Sequence, residues 1–342
     1  MLFECFLERA QGLPINLELS VADKSNFHEF PYEIFSSASQ WVAADLSPFK
    51  PSVYITPGPL MFDIVSFDSS WALDFPHLET LTFNVWTSDL TDLPVTPLPL
   101  FQDAYRLREL TIRSPNHLSL FSFPAHQLRK LTILDGRDRP LSSEVWEILP
   151  SLVGVEDLTL PSLEDDMELA LTAHLGFESR IAMLRLSRLR LFDTSSLLLP
   201  HLFLPSLGTL QLREPLSSLD YMLVKDSVPG IVSLSLESSS ITLFSNVLES
   251  PLARLKHLTV TAFDMDPSAA RWCTTDLGNL RNLPNLESFT LRITPDSTTT
   301  IGSILRPFID GITMRANNTD AAGATDMKLI QFSLDFAPRQ RK

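Results

Sequence analysis

One nonapeptide decides the fold that the sequence predicts: Phe75-Pro76-His77-Leu78-Glu79-Thr80-Leu81-Thr82-Phe83. Its apolar residues at Leu78, Leu81 and Phe83 are separated by three positions and then by two. A close copy lies far downstream, at Leu283-Pro284-Asn285-Leu286-Glu287-Ser288-Phe289-Thr290-Leu291. Two such copies in one chain indicate an internal repeat, so the period of the repeat is the first property to establish.

The pattern Leu-x-x-Leu-x-Leu, with some apolar substitution, occurs ten times along the chain. Its first positions are Leu78, Leu107, Leu128, Val155, Ile181, Leu207, Ile231, Leu255, Leu286 and Leu329. Successive copies are 29, 21, 27, 26, 26, 24, 24, 31 and 43 residues apart. Most of these spacings fall within the range of about 20–29 residues that is typical of leucine-rich repeats. We therefore predict an α/β fold, a leucine-rich-repeat solenoid with a parallel sheet on its concave side and helices or loops on its convex side.

One property of common leucine-rich repeats is missing from these copies. Three residues after the last leucine, an asparagine or cysteine usually bonds the backbone of the turn. The corresponding positions here are Trp86, Pro115, Gly136, Leu163, Leu189, Pro215, Ser239, Phe263, Thr294 and Ala337. Other groups must satisfy the turns, and we expect an irregular horseshoe of variable curvature.

The whole chain, residues 1–342, is predicted to form a single leucine-rich-repeat-like domain. Residues 1–74 form an atypical N-terminal cap with strands at 14–21 and 41–46, and residues 75–294 hold the regular repeats. Residues 295–342 form a C-terminal cap with a flexible insert near 312–328. Helices are predicted between the strands, for example at 162–175 and 269–280.

The residue between the second and third leucines of each repeat should face the concave side, because strand side chains alternate between the two faces. Six of these ten residues are threonine. The simpler interpretation is that β-branched threonine suits an exposed strand, and the alternative is a floor of small side chains that a partner approaches closely. The candidate partner-binding surface comprises Thr82, Glu109, Thr111, Arg113, Lys130, Thr132, Asp157, Thr159, Arg185, Gln211, Arg213, His257, Thr259 and Thr290. Acidic and basic residues are mixed in this set, which predicts a mixed polar surface, with a functional basic patch as the alternative.

Composition excludes several classes of function. The formal net charge is −14, from 41 acidic and 27 basic residues, which disfavours nucleic-acid binding. No apolar run approaches the roughly 18 residues of a membrane span, and we expect no secretory signal at the N-terminus. Only two cysteines, Cys5 and Cys273, are present, which fits a reducing compartment, cytoplasmic or nuclear.

Motifs of catalysis are absent from the sequence. It contains no phosphate-binding glycine loop, no G-x-S-x-G elbow, no H-E-x-x-H motif and no cysteine pair for zinc. The acidic group at 164–168 is explained by the electrostatics of a helix N-terminus. We therefore predict a non-enzymatic protein without cofactor or metal, and an enzyme assembled from sequence-distant residues stays the less favoured alternative.

Five segments of the chain carry a family resemblance: Phe6-Leu7-Glu8-Arg9-Ala10, Leu13-Pro14-Ile15-Asn16-Leu17-Glu18-Leu19, Ser39-Gln40-Trp41, Phe75-Pro76-His77-Leu78-Glu79-Thr80-Leu81 and Leu283-Pro284-Asn285-Leu286-Glu287-Ser288. With these segments the chain resembles the F-box/leucine-rich-repeat proteins of mushroom-forming fungi. In that family an upstream F-box docks on the Skp1 adaptor of a cullin ubiquitin ligase, and the repeats hold the substrate. The resemblance thus implies a protein-interaction module of the substrate-receptor type.

An F-box itself is not expected in the sequence. Residues Phe30-Pro31-Tyr32-Glu33-Ile34-Phe35 imitate the opening of an F-box, but Trp41 follows too soon for a three-helix domain. Two possibilities remain: a segment missing upstream, in which case a Skp1-type adaptor is a partner, or a stand-alone repeat scaffold with no ubiquitin link. In both cases an unknown protein is the expected partner on the concave face.

Overall fold

A computed structural model of the chain divides it into two compact units, residues 1–174 and 175–342. The boundary falls within the predicted regular repeats. Since the units of a repeat protein contact mainly their neighbours, such a division is compatible with one continuous array, and the single-domain assignment stays a prediction. The structure describes residues 13–18, 37–46, 74–84, 101–113, 123–134, 148–162, 180–192, 195, 198–199, 201–213, 230–238, 252–263, 283–294, 306, 309–310, 313 and 331–336.

The first unit contains six parallel strands in sequence order. They are β1 (Ile15–Glu18), β2 (Trp41–Leu46), β3 (Thr80–Asn84), β4 (Glu109–Arg113), β5 (Lys130–Leu134) and β6 (Asp157–Leu160). Short 3₁₀ helices occupy Ala38–Gln40, Ala125–Gln127 and Leu149–Ser151. The strands predicted at 14–21 and 41–46 are confirmed as β1 and β2.

The second unit contains another set of six parallel strands and one separate pair. The pair is β7 (Ile181–Ala182) with β9 (Leu202–Phe203). The six are β8 (Arg188–Phe192), β10 (Thr209–Arg213), β11 (Ser233–Ser238), β12 (His257–Phe263), β13 (Ser288–Thr294) and β14 (Gln331–Phe336). Among the described residues, Arg306, Ile309, Asp310 and Thr313 are helical. The fold is thus α/β, with large parallel sheets and few helices in its described part.

The leucines of the repeat pattern form the cores of both units. In β10, for example, Leu210 and Leu212 are buried, whereas Thr209, Gln211 and Arg213 are half-buried or exposed. The same alternation runs through the neighbouring strands, because parallel pairing in register places equivalent residues side by side. Burying the leucine face removes apolar area from water and thereby fixes the register of the strands.

The fifth predicted repeat is wrong in its register. Residues 181–191 contain two overlapping copies of the pattern, beginning at Ile181 and at Leu186. The even spacing of 26 residues favoured the first copy, but the structure uses the second, with Leu189 and Leu191 buried in β8. This register buries Met183 together with three leucines, whereas the other would place Met183 on the polar face of the sheet.

A tight turn precedes most of the described repeat strands, and it satisfies backbone groups in the absence of an asparagine ladder. The amide of the first repeat leucine donates to the carbonyl three residues earlier: Leu78 to Phe75 at 3.3 Å, Leu207 to Leu204 at 3.2 Å and Leu286 to Leu283 at 3.4 Å. The first and fourth residues of these turns are buried, so the turn adds a layer to the core. Proline at the second position, as in Pro76, Pro205 and Pro284, suits such a turn because its φ is already set.

Consecutive turns are bonded to each other through their third residue. The Oγ of Ser206 donates to the carbonyl of Leu184 at 2.6 Å, and the Nδ2 of Asn285 donates to the carbonyl of Ala253 at 2.6 Å. Both acceptors are the second residue of the preceding turn. These bonds form a ladder on the edge where the strands begin, whereas the usual asparagine ladder lies after the strands. The missing asparagine concerns only the later edge, so it does not predict these bonds.

Gly154 occupies the third position of its turn for a steric reason. A Cβ at Gly154 would lie 2.8 Å from the carbonyl oxygen of His126 and 3.1 Å from that of Leu128, both backbone atoms of the preceding repeat. We expect Gly154→Ala to lower the free energy of unfolding by about 1–3 kcal/mol, because the two turns must move apart. Denaturant unfolding measures the change.

Gly208→Ala provides the matched control for Gly154→Ala. A Cβ at Gly208 would meet only the carbonyl oxygen of Ser187, at 3.9 Å, which is ordinary van der Waals contact. Its free energy of unfolding should therefore change by less than about 0.5 kcal/mol. Equal destabilisation by both substitutions would contradict the close approach of the turns.

Candidate functional site

The candidate surface is the face of the strands that carries polar residues between the buried leucines, here called the polar face. In the first unit its central row pairs Asp45, Thr82, Thr111, Thr132 and Thr159 in register across β2 to β6. In the second unit the equivalent row runs Arg190, Gln211, Ser235, Thr259, Thr290 and Ser333 across β8 to β14. Most of the predicted site residues thus lie in continuous rows within one unit or the other.

Three of the predicted site residues do not belong to the accessible part of the polar face. Arg185 lies in the turn before β8 and not on the polar face, because the register of that repeat differs from the predicted one. Asp157 and Thr159 do lie on the polar face, but their exposed fractions are only 4 % and 3 %. Arg113 is the last residue of β4, the strand that begins at Glu109 and contains Thr111.

Arg188 and Arg190 are polar-face residues that the predicted set missed. Both side chains are exposed on β8, beside Thr209 and Gln211 of β10. The second, overlapping copy of the pattern at Leu186, Leu189 and Leu191 places both arginines on the polar face, but periodicity alone does not favour it over the first copy. With this correction, the basic residue of the central row is Arg190.

The buried hydroxyl of Thr159 is the least satisfied group on the polar face. Its Oγ1 has no hydrogen-bond partner within the described part of the chain. Removing a buried hydroxyl that lacks a partner relieves its desolvation cost. We expect Thr159→Val, which keeps the shape of the side chain, to raise the free energy of unfolding by about 1 kcal/mol.

Thr132→Val is the control for Thr159→Val, because Thr132 lies beside Thr159 in the same row but is half-exposed. Its free energy of unfolding should stay within about 0.5 kcal/mol of the wild type. Thermal melts of the two variants provide the comparison. A loss of stability in Thr159→Val would show that the hydroxyl is hydrogen-bonded in solution.

Ion pairs link neighbouring strands on and beside the polar face. Lys130 lies 3.3 Å from Glu109, Arg213 lies 3.1 Å from Glu237, and Lys256 lies 3.1 Å from Glu287. The guanidinium of Arg213 also lies 5.8 Å above the ring centroid of Phe192. All three pairs are partly exposed, so each adds little to stability, but they orient the charged groups that an approaching partner meets.

His257 and Ser288 are adjacent on β12 and β13, and the Nδ1 of the imidazole lies 2.9 Å from the serine Oγ. A base beside a hydroxyl is the first requirement for an activated nucleophile, and a third group that orients the base is the second. No described residue bonds the other ring nitrogen of His257. The pair is exposed and is best described as part of the polar face.

His201 lies at the start of β9 and is partly buried. Burial, followed by repulsion from the Arg180 guanidinium, lowers the pKa of His201 below its ordinary value of 6.5. As the pH falls below about 6.5, the unfolded chain therefore takes up this proton before the folded chain does. We expect the free energy of unfolding to decrease over that interval, and His201→Gln to remove this part of the decrease.

Denaturant unfolding at pH 7.5 and at pH 5.0 measures the contribution of His201. Arg180→Gln is the companion variant: it removes the repulsion but not the burial, so it should restore part of the stability at the lower pH. The same pH dependence in the wild type and in His201→Gln would contradict the assignment.

Neither a metal centre nor a membrane span is seen in the part of the chain that the structure describes. Those residues contain no group of three or more His, Cys, Asp or Glu side chains that could hold a metal ion. No helix among them is long and apolar enough to cross a bilayer.

No protein-family model matches this chain, and no curated protein matches it either.

Proposed function

We propose that the protein is a non-catalytic protein-interaction module, a leucine-rich-repeat solenoid that binds a protein partner on its polar face. The observation that supports this most is the continuous pairing of polar residues across the strands of each unit, from Asp45 to Thr159 and from Arg190 to Ser333. A row of small side chains above a packed core offers a rigid surface along which another chain can lie.

The spacing of the rows supports this proposal further. Neighbouring strands lie about 4.8 Å apart, so a row presents one side chain at each such step. In the second unit this row begins with a guanidinium and an amide, at Arg190 and Gln211, and continues with four hydroxyl side chains; all of these groups donate hydrogen bonds. Such a surface recognises the polar groups and acidic side chains of a partner without any chemical reaction.

Affinity purification with paired variants tests the role of the polar face. Thr259→Arg places a long side chain in the middle of the central row, whereas Ala253→Arg places the same side chain on the exposed turn before β12. We expect the proteins retained by the wild type to be lost with Thr259→Arg and kept with Ala253→Arg. Loss with both variants, or with Ala253→Arg alone, would contradict a binding role for the polar face.

The non-catalytic part of the proposal has its own test, at the pair His257 and Ser288. A fluorophosphonate, which labels activated serines, should leave the protein unlabelled. Labelling that disappears in Ser288→Ala would show an activated nucleophile and would overturn this part.

A link to ubiquitin ligases follows only from the resemblance to F-box/leucine-rich-repeat proteins. It predicts co-purification with a Skp1-type adaptor when the complete transcript is expressed. An upstream reading frame without an F-box, together with no adaptor bound, would remove the link and leave the stand-alone scaffold. Trp41 opens β2 with a fully buried ring, which supports the expectation that the F-box-like opening at residues 30–35 does not lead into a three-helix domain and leaves both alternatives open.

A further inference from the structure

The polar faces of the two units carry opposite charge. Among the described side chains on the first unit's strands that are not buried, three carboxylates accompany one basic residue: Glu18, Asp45 and Glu109 with Lys130. Among those on the six strands of the second unit, four arginines accompany one carboxylate: Arg188, Arg190, Arg213 and Arg292 with Glu237. The first face therefore has a formal surplus of two negative charges and the second of three positive charges, within a chain whose net charge is −14.

The arginines of the second unit stand at the two sides of a floor of hydroxyl groups. Arg188 and Arg190 lie on β8, Arg213 on β10 and Arg292 on β13, and all four are exposed. The floor between them consists of Thr209, Ser233, Ser235, Thr259, Thr261, Ser288 and Thr290. The same part of the face also carries Gln211, Glu237 and His257, and the hydroxyl groups around them can donate hydrogen bonds.

Arg190 and Arg213 retain the capacity to bind further carboxylates. Arg190 makes no ion pair with any described residue. Arg213 holds Glu237 through its Nε at 3.1 Å, while Phe192 lies beneath its guanidinium. A guanidinium has five N–H donors in a planar fork that matches a carboxylate, so one contact does not exhaust it.

We propose that the polar face of the second unit, between Arg190 and Arg292, binds an extended acidic peptide segment of a partner protein. β8 and β13 are separated by four strand intervals of about 4.8 Å, so this face is about 19 Å wide. About six residues of an extended chain, at about 3.3 Å each, cover that width. The same segment is repelled by the polar face of the first unit, which fixes the half of the protein that it occupies.

Fluorescence polarisation with a designed probe tests this inference. The probe is a fluorescein-labelled peptide of about twelve residues that alternates glutamate and serine, so that in an extended chain all its carboxylates lie on one side. The full-length protein should bind it at low salt, and binding should weaken as the salt concentration rises. A peptide that alternates lysine and serine should not bind.

Two charge reversals of equal size locate the site of binding. Arg190→Glu lies in the central row, whereas Arg185→Glu changes the same charge on the exposed turn just before β8. We expect Arg190→Glu to weaken binding of the acidic peptide about fivefold or more, because an attraction becomes a repulsion. Arg185→Glu should leave the affinity within about twofold of the wild type, and Arg190→Lys should keep most of it.

Four results would overturn the inference: no binding of the acidic peptide at low salt, equal weakening by both charge reversals, binding only when phosphoserine replaces serine, or tighter binding of a single-stranded oligonucleotide of equal charge. The third result would assign the face to phosphopeptides and the fourth to nucleic acid.

This inference rests on the proposed binding role of the polar face, but the two can be contradicted by different results. If Thr259→Arg still releases partners while the acidic peptide does not bind, only the charge assignment is wrong.

Discussion

Replacing Leu189 by aspartate is expected to lower the free energy of unfolding by about 4 kcal/mol, or to prevent folding. Leu189 is fully buried in β8 and pairs with Leu210 of β10. A carboxylate at this position would lose its hydration and have no cationic partner in the leucine core. Leu158→Asp in β6 of the first unit, where the leucine is equally buried, should have an effect of the same size.

The same substitution five residues earlier should be tolerated. Leu184 matches the repeat pattern as well as Leu189 does, but its side chain is 58 % exposed in the turn before β8. Leu184→Asp should therefore change the free energy of unfolding by less than about 0.5 kcal/mol. Denaturant unfolding of the pair decides between the two registers of this repeat. Severe destabilisation by Leu184→Asp with a mild effect of Leu189→Asp would restore the register that equal spacing predicted.

Trp41→Ala is the second substitution with a large expected effect, a loss of about 3–5 kcal/mol. The indole is completely buried. Its ring centroid lies 5.7 Å from that of Phe75, and the ring centroids of Phe75 and Phe101 are 5.4 Å apart. Its Nε1 donates to the Oγ of Ser37 at 2.9 Å. Removing the ring opens a cavity that these aromatic side chains cannot fill without shifting.

Trp41→Phe separates the packing contribution from the hydrogen bond. Phenylalanine keeps an aromatic ring beside Phe75 but has no group to donate to Ser37. We expect a loss of about 1–2 kcal/mol, well below that of Trp41→Ala. Thermal or denaturant unfolding gives both values when it is monitored by far-UV circular dichroism, a signal that does not depend on the tryptophan. A cost below about 1 kcal/mol for Trp41→Ala would show that this aromatic cluster is not a core.

The sequence predicted the strands well because their burial repeats with a short, regular period. At most single copies of the pattern, for example at Leu78 to Phe83 and at Leu207 to Leu212, the strand and its buried face were confirmed. At 181–191 two copies overlap, and local periodicity cannot choose between them. The choice depends on total burial, since only the second copy encloses Met183 and leaves a single leucine exposed.

The tight turns before the strands were not predicted, although the residues that form them are recognisable in the sequence. Pro76, Pro205 and Pro284 all stand two positions before the first leucine of a repeat, which is the second position of the turn. The hydrogen bond from Ser206 to Leu184 joins residues 22 positions apart, so it depends on the stacking of two repeats. Such a contact has no signal within either repeat alone.

The helices predicted at 162–175 and 269–280, the N-terminal segment before residue 13 and the insert near 312–328 lie outside the described residues, apart from Ser162 and Thr313.

The candidate surface was only partly predictable for a related reason. Alternation within a strand shows which residues share a face, and it placed Thr111, Gln211 and Thr259 correctly. It does not show which of them other parts of the molecule cover, as happens at Asp157 and Thr159. The contrast in charge between the two polar faces depends on the observed register of β8, in which Arg190 and not Arg185 lies in the central row.

Site-specific photo-crosslinking tests most directly whether the polar face is the binding surface. A photoreactive amino acid at Ser235, in the central row of the second unit, should form a covalent adduct with a bound partner. The same amino acid at Arg254, on the exposed turn before β12, should not. Adducts at Ser235 and none at Arg254 are the result that we predict. Adducts at Arg254 with none at Ser235 would place the partner on the turn edge and contradict the proposed function.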